Sequence, residues 1–210
     1  MNKLSFNSWI LLGITVSLGL VFTIGLVSYL SLKDLENNQK LEHESEDVIV
    51  KSNNIIKNII DLESSERGFL ITGKENFLDS YHQAHVTLNS QLSDLINIRK
   101  EDQSQTKIIL QLTDAINRRV KLLDLFIEKR KKGEIKYTER EISLINLGKN
   151  YMDLAKKDVS QINNAENIML MQRQKASQYS NNRTIWSIVI GTFLILIIII
   201  VLFRFIKSSF

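Results

Sequence analysis

Few side chains in this sequence have types and spacings suited to chemistry. His82 and His85 stand three apart, one turn after Asp79, so one helical face can offer two ring nitrogens to a metal ion. The remaining histidine, His43, falls on another helix, and solvated imidazoles fit the pattern better than a metal site. Arg67 follows Glu63 by four residues, the spacing of a helical ion pair. If partly buried, Arg67 needs an anion, either a protein carboxylate or an anionic ligand; a structural clamp is the favoured reading. Glu166 and Arg173 interrupt an apolar seam, where polar side chains fix register, mark a switch or snorkel to solvent. Gly68 and Gly73 fall close together around "RGFLITG", but no strand precedes them, so they do not form a nucleotide loop. No Ser-His-Asp order or raised-carboxylate pair stands out, and no catalytic residue, metal or cofactor is expected.

The elements that must position these residues are helices. The chain has 210 residues, no proline and no cysteine, which excludes a disulfide framework and a thiolate metal site. Apolar residues recur at three and four. Val48, Ile55, Ile59, Leu62 and Phe69 mark a first helix, reaching about Leu70. Phe77, Tyr81, Leu88, Leu92 and Leu95 mark a second, from Gly73 to about Ile98. Ile109, Leu112, Ile116, Val120, Leu123 and Ile127 mark a third, from about Ser104 to Lys132. The last seam, Met152, Ala155, Val159, Ile162, Glu166, Met169, Arg173 and Ala176, starts from about Lys149. Thr72 with Glu75 and Thr138 with Glu141 read as capping boxes, and Asp102 with Gln105 as a weaker one. Cations before Gly133 suit a helix end, and Gly148 is expected to separate a short helix from the long final one. Short connections make neighbours antiparallel, giving an up-down-up-down four-helix bundle.

Two uncharged apolar runs, 9–30 and 185–203, are each long enough to cross about 30 Å of hydrocarbon. The first is too long for a signal-peptide core and is followed by no cleavage site, so it is read as an uncleaved anchor. Lys3 precedes the first run and Arg204 and Lys207 follow the second, which places both termini in the cytoplasm. Trp9, Tyr29, Tyr179 and Trp186 fall where interfacial aromatic belts would. Gly13/Ser17, Gly19/Thr23 and Ser187/Gly191 are small-residue pairs that can let spans approach. The net charge is +4, but the middle segment holds all 23 acidic residues and all but three of the 27 basic ones. It is nearly neutral, which argues against a nucleic-acid partner.

Counting equal heights up the first helix and down the last sets Arg67 level with 149–153, and Glu166 opposite the neighbourhood of Lys51. An Arg67 contact with Asp153, or with carbonyls near Gly148, is therefore expected. Gly68 inside a helix costs up to about 1 kcal/mol against alanine, which suggests a close backbone approach there, near Gly148 and Asp153.

The segment "ESSERGFLITG" followed by "FLDSY" resembles the signature of CHASE domains of the third type, cyclase- and histidine-kinase-associated sensory extracellular modules. Glu63, Arg67, Gly68, Phe69, Leu70, Thr72, Gly73 and Tyr81 carry it. "GKNYMD", with Gly148 and Asp153, and "AENIMLMQR", with Glu166 and Arg173, are similar to its later motifs. The resemblance implies an extracytoplasmic sensory domain, dimeric, that relays a stimulus to a cytoplasmic output module such as a histidine kinase or cyclase. The expected organisation is a cytoplasmic stretch 1–8, a span 9–32, the sensory bundle 33–183, a span 184–203 and a cytoplasmic stub 204–210. The chain stops at Phe210 without an output module, so it is expected to be a fragment or to signal through a partner. A non-signalling membrane scaffold and a chemoreceptor-like ligand-binding bundle are the alternatives. The signature residues would form a structural clasp at the membrane-distal end; the ligand is not named by the sequence.

Overall fold

The computed structural model describes residues 6–134 and 136–209; Lys3, Phe210 and the Trp9 side chain lie outside the described residues. The protein is all-α: α1 (Phe6–Thr72), α2 (Asn76–Ile98), α3 (Gln103–Lys131) and α4 (Glu139–Ser209). The chain divides into two compact units.

Residues 43–170 form the four-helix bundle. Contacts give its directions. Along α1, Lys51 meets Asp94 while Gly68 meets Phe77, so α2 runs antiparallel to it. Lys129 meets Glu141 while Gln105 meets Met169, so α3 and α4 are antiparallel as well. Every seam residue expected from Val48 to Phe69 is buried, as are Tyr81, Leu88, Leu92 and Leu95 on α2 and the six named on α3. On α4 burial covers Met152, Ala155, Val159, Ile162 and Glu166. The α1–α4 height count holds, since the Ser52 hydroxyl donates to the Asn163 side chain at 2.8 Å and Asn163 donates to Asn53 at 2.9 Å.

Boundary chemistry follows the expected pattern with two corrections. Thr138 and Glu141 form the reciprocal capping box: the Thr138 amide donates to the Glu141 carboxylate at 2.7 Å, and the Glu141 amide to the Thr138 hydroxyl at 3.3 Å. Asp102 caps α3, accepting from the Ser104 and Gln105 amides. Lys129, Arg130 and Lys131 close α3 before Gly133, whose φ of 80° is left-handed. The Thr72–Glu75 box does not form. Thr72 still belongs to α1, its hydroxyl donating to the Gly68 carbonyl and accepting from the Lys74 amide. Glu75 itself takes the cap position of α2 without a side-chain bond. Gly73, at φ 68°, makes the turn between them. Gly148 does not end a helix: α4 runs through it without a break, because a buried glycine here makes room for a neighbour rather than a turn.

Residues 6–42 and 171–209 form the second unit, a helix pair. Both helices are long and apolar enough to be candidate membrane spans. Their large apolar side chains, such as Leu11, Phe22, Phe193 and Phe203, are exposed, as are Tyr29, Tyr179 and Trp186. Two of the small-residue positions serve close packing within the pair. A methyl group at Gly191 would overlap Ile24 Cδ1, and one at Gly13 would lie 2.8 Å from Leu202 Cδ1. Gly19 faces no neighbour within 4 Å. Arg173, expected in a bundle seam, lies in this unit and donates to the Leu41 carbonyl.

Candidate functional site

Buried polar groups concentrate at two levels of the bundle, with Ser52 and Asp158 between them. The first is at the end carrying the α2–α3 connection, where Ser45 from α1, Arg99 at the C-cap of α2, Gln105 from α3 and Glu166 from α4 come together. The arrangement follows from helical periodicity. Arg99 continues the Leu88–Leu92–Leu95 seam by one step of four, and Gln105 precedes Ile109 and Leu112 in the α3 seam. The Arg99 guanidinium donates twice to Glu166, from Nε and Nη2, at 2.7 Å each, and from Nη2 to the Ser45 hydroxyl at 3.4 Å. Glu166 is 0% exposed. Burial pushes its carboxyl up, but hydrogen bonds from Arg99, Ser45 and Gln105 outweigh that and hold it below the ordinary range. The partner of Glu166 is thus Arg99, a residue that looks like an ordinary helix-terminal cation in sequence, and Lys51 pairs instead with Asp47 and Asp94. The Gln105 carbonyl oxygen is buried without a hydrogen bond, so the layer is not fully satisfied.

The second level lies toward the end carrying the α1–α2 and α3–α4 connections. Glu63 on α1 accepts from Arg119 Nε on α3 at 2.7 Å, and more weakly from Arg67 at 3.4 Å. The clamp expected at Arg67 is therefore made by Arg119; Arg67 is 68% exposed and forms no ion pair with Asp153. Gly148 explains the substitution. A methyl group there would lie 2.5 Å from Arg119 Nη1, so the missing Cβ makes room for this guanidinium. Gly68 likewise meets a side chain rather than a backbone first: a methyl group there would overlap the Phe77 ring of α2. Phe69 is in the core, and the buried Tyr81 hydroxyl donates to Asp124 on α3 at 2.7 Å. Burial and that bond push its pKa up.

Between α1, α3 and α4 a cavity of ≈ 500 Å³ opens at this level. Glu63, Glu66, Arg67 and Arg119 line one side and Lys149, Met152, Asp153 and Lys156 another. It thus collects Arg67, Asp153 and the Glu63–Arg119 pair, while Tyr81, Thr72 and Gly73 lie outside its lining. Glu66 was not expected to matter. It is 6% exposed and forms no hydrogen bond or ion pair among the described residues. Burial pushes its pKa up to about 7, against the lowering effect of Arg119 and Arg67. His82 and His85 pack around the Tyr81 ring, and among the described residues no group of three His, Cys, Asp or Glu side chains is placed to hold a metal ion.

The chain thus combines a four-helix bundle that carries buried polar groups with two helices apolar enough to be candidate membrane spans. The CHASE3 domain family matches residues 38–176, and the chain belongs to that family. Its fold is similar to the crystal structure of the Rhodopseudomonas palustris histidine kinase HK9 sensor domain, with a TM-score of 0.53 and 23% identity. That match covers 60% of this chain and 97% of the other. No curated protein matches the chain. Both matches are to a sensor domain, and no catalytic domain is detected.

Proposed function

We propose that residues 33–183 are the extracytoplasmic sensory input region of a bacterial signalling receptor, anchored by spans at 9–32 and 184–203 with both termini in the cytoplasm. Its partners are the membrane, a second copy of the chain and a cytoplasmic output module such as a histidine kinase or cyclase. The observation that carries this reading is membership of the CHASE3 family over the bundle, with a candidate span on each side. The uninterrupted course of α1 and α4 supports a relay by small helix shifts, which fall in the ~1–2 Å range typical of such transitions. The Ser45–Arg99–Gln105–Glu166 layer is the element that would hold register: its ion pair links the α2 end to α4, and its unsatisfied Gln105 oxygen leaves room for a second arrangement.

The test is a chimera in which residues 1–210 precede a heterologous histidine-kinase catalytic module. Glu166→Gln weakens the pairing with Arg99 while preserving shape, and autophosphorylation in membrane vesicles should change by about fivefold or more. A folded Glu166→Gln chimera with wild-type output would favour a passive anchor.

A further inference from the structure

The cavity between α1, α3 and α4 has the size of a small-molecule site, within the usual range of about 300–1,000 Å³. Its charges are unevenly used. Glu63 is already engaged by Arg119. Arg67 makes one long bond to the same carboxylate, and Lys149 and Lys156 have no hydrogen bond or ion pair among the described residues. Against these three available cations stands one unpaired exposed carboxylate, Asp153. The remaining acid, Glu66, lines the cavity more than nine-tenths buried and without a partner. The rest of the wall is largely hydrocarbon, from Leu70, Phe126, Ile145 and Met152.

We propose that this cavity binds a small organic carboxylate with an apolar body, its charge held by Arg67 and Lys149 and its carboxylate set against the buried Glu66 side chain. The inference deepens the sensory reading and rests on it for the meaning of the ligand, not for its binding. Leu70, Ile145 and Met152 remove the apolar body from water, which is the larger part of the affinity for a ligand of this size. The cations select the sign of the charge, because an ammonium ligand would meet Arg67, Lys149 and Lys156 together. A neutral Glu66 is the form that fits. Burial favours it, and it satisfies a polar group that otherwise has no partner.

Titration calorimetry of the full chain in detergent micelles with benzoate, benzamide and benzylamine varies the charge at nearly constant size. Benzoate should bind at least about tenfold more tightly than either other compound. Arg67→Ala with Lys149→Ala should weaken benzoate by roughly tenfold or more, while Lys121→Ala, which removes a cation outside the cavity, should leave it unchanged. Glu66→Gln keeps a donor and should bind benzoate at pH 8 at least as well as the unsubstituted chain. Equal or tighter binding of benzylamine, no saturable benzoate binding, benzoate binding indifferent to the double substitution, or loss of binding in Glu66→Gln would overturn the proposal. Because the titration reads binding alone, its failure beside a responsive kinase chimera would remove this site and leave the sensory reading standing.

Discussion

Glu66 occupies a core-facing position on α1, one step of four beyond Leu62, where the seam would ordinarily carry an aliphatic side chain. The groups around it are Glu63 and Arg67 on its own helix, Tyr81 on α2, Arg119 on α3, and Lys149, Asp153 and Lys156 across the cavity on α4. Its folded pKa of about 7 lies above the ordinary 4.5, so the folded chain holds a proton that the unfolded chain releases. The stability this proton contributes is complete below about pH 4.5 and is lost as pH rises through about 7. Over that interval the loss is about 3 kcal/mol. Glu66→Gln removes the dependence. Thermal melts of the full chain in micelles should therefore show the variant more stable than wild type at pH 8, with the gap closing toward pH 4.5. A gap independent of pH would mean that Glu66 is ionised throughout. The residue scale was also where sequence was least informative. Glu166 stood out because it broke an apolar seam, but Arg99 and Gln105 break seams too, at helix ends where a polar residue is the default expectation. Arg119 carried no such signal at all; only Gly148, a helix-interior glycine on the facing helix, hinted that something bulky had to fit.

Among the elements, the helices themselves were legible because their seams are long and regular, and Thr138–Glu141 and Asp102 announced their caps. Glycine is the ambiguous residue in this sequence, because its meaning depends on what lies opposite. Gly73 makes a turn, as its left-handed φ requires. In sequence Gly148 suggests a helix break and Gly68 a backbone contact, whereas each accommodates one large side chain from a neighbouring helix, Arg119 and Phe77. This distinction is testable. Gly68→Leu gains about 1 kcal/mol in helix propensity yet should destabilise the bundle by about 1–3 kcal/mol through the Phe77 ring. Combining it with Phe77→Ala should relieve most of the added cost in denaturant melts, beyond what the two single changes predict. Additive effects would mean that the ring and the glycine are independent.

At the scale of the whole molecule, the all-α bundle and the two apolar helices were readable from periodicity and hydropathy, and the CHASE3 signature from motifs spread along the chain. The ligand was not readable, because its site draws on three helices and on a carboxyl that looks like any other glutamate. The proposed relay requires that α4 carry a change of state from the bundle to an output module as a continuous rod. Inserting one to four alanines into α4 of the kinase chimera, just after residue 183, rotates everything beyond by about 100° per residue while preserving the helix. Autophosphorylation should rise and fall with insertion number and return toward the starting level after three to four residues. Output that stays flat, or declines steadily with length, would contradict a helical relay and leave the bundle as a tether.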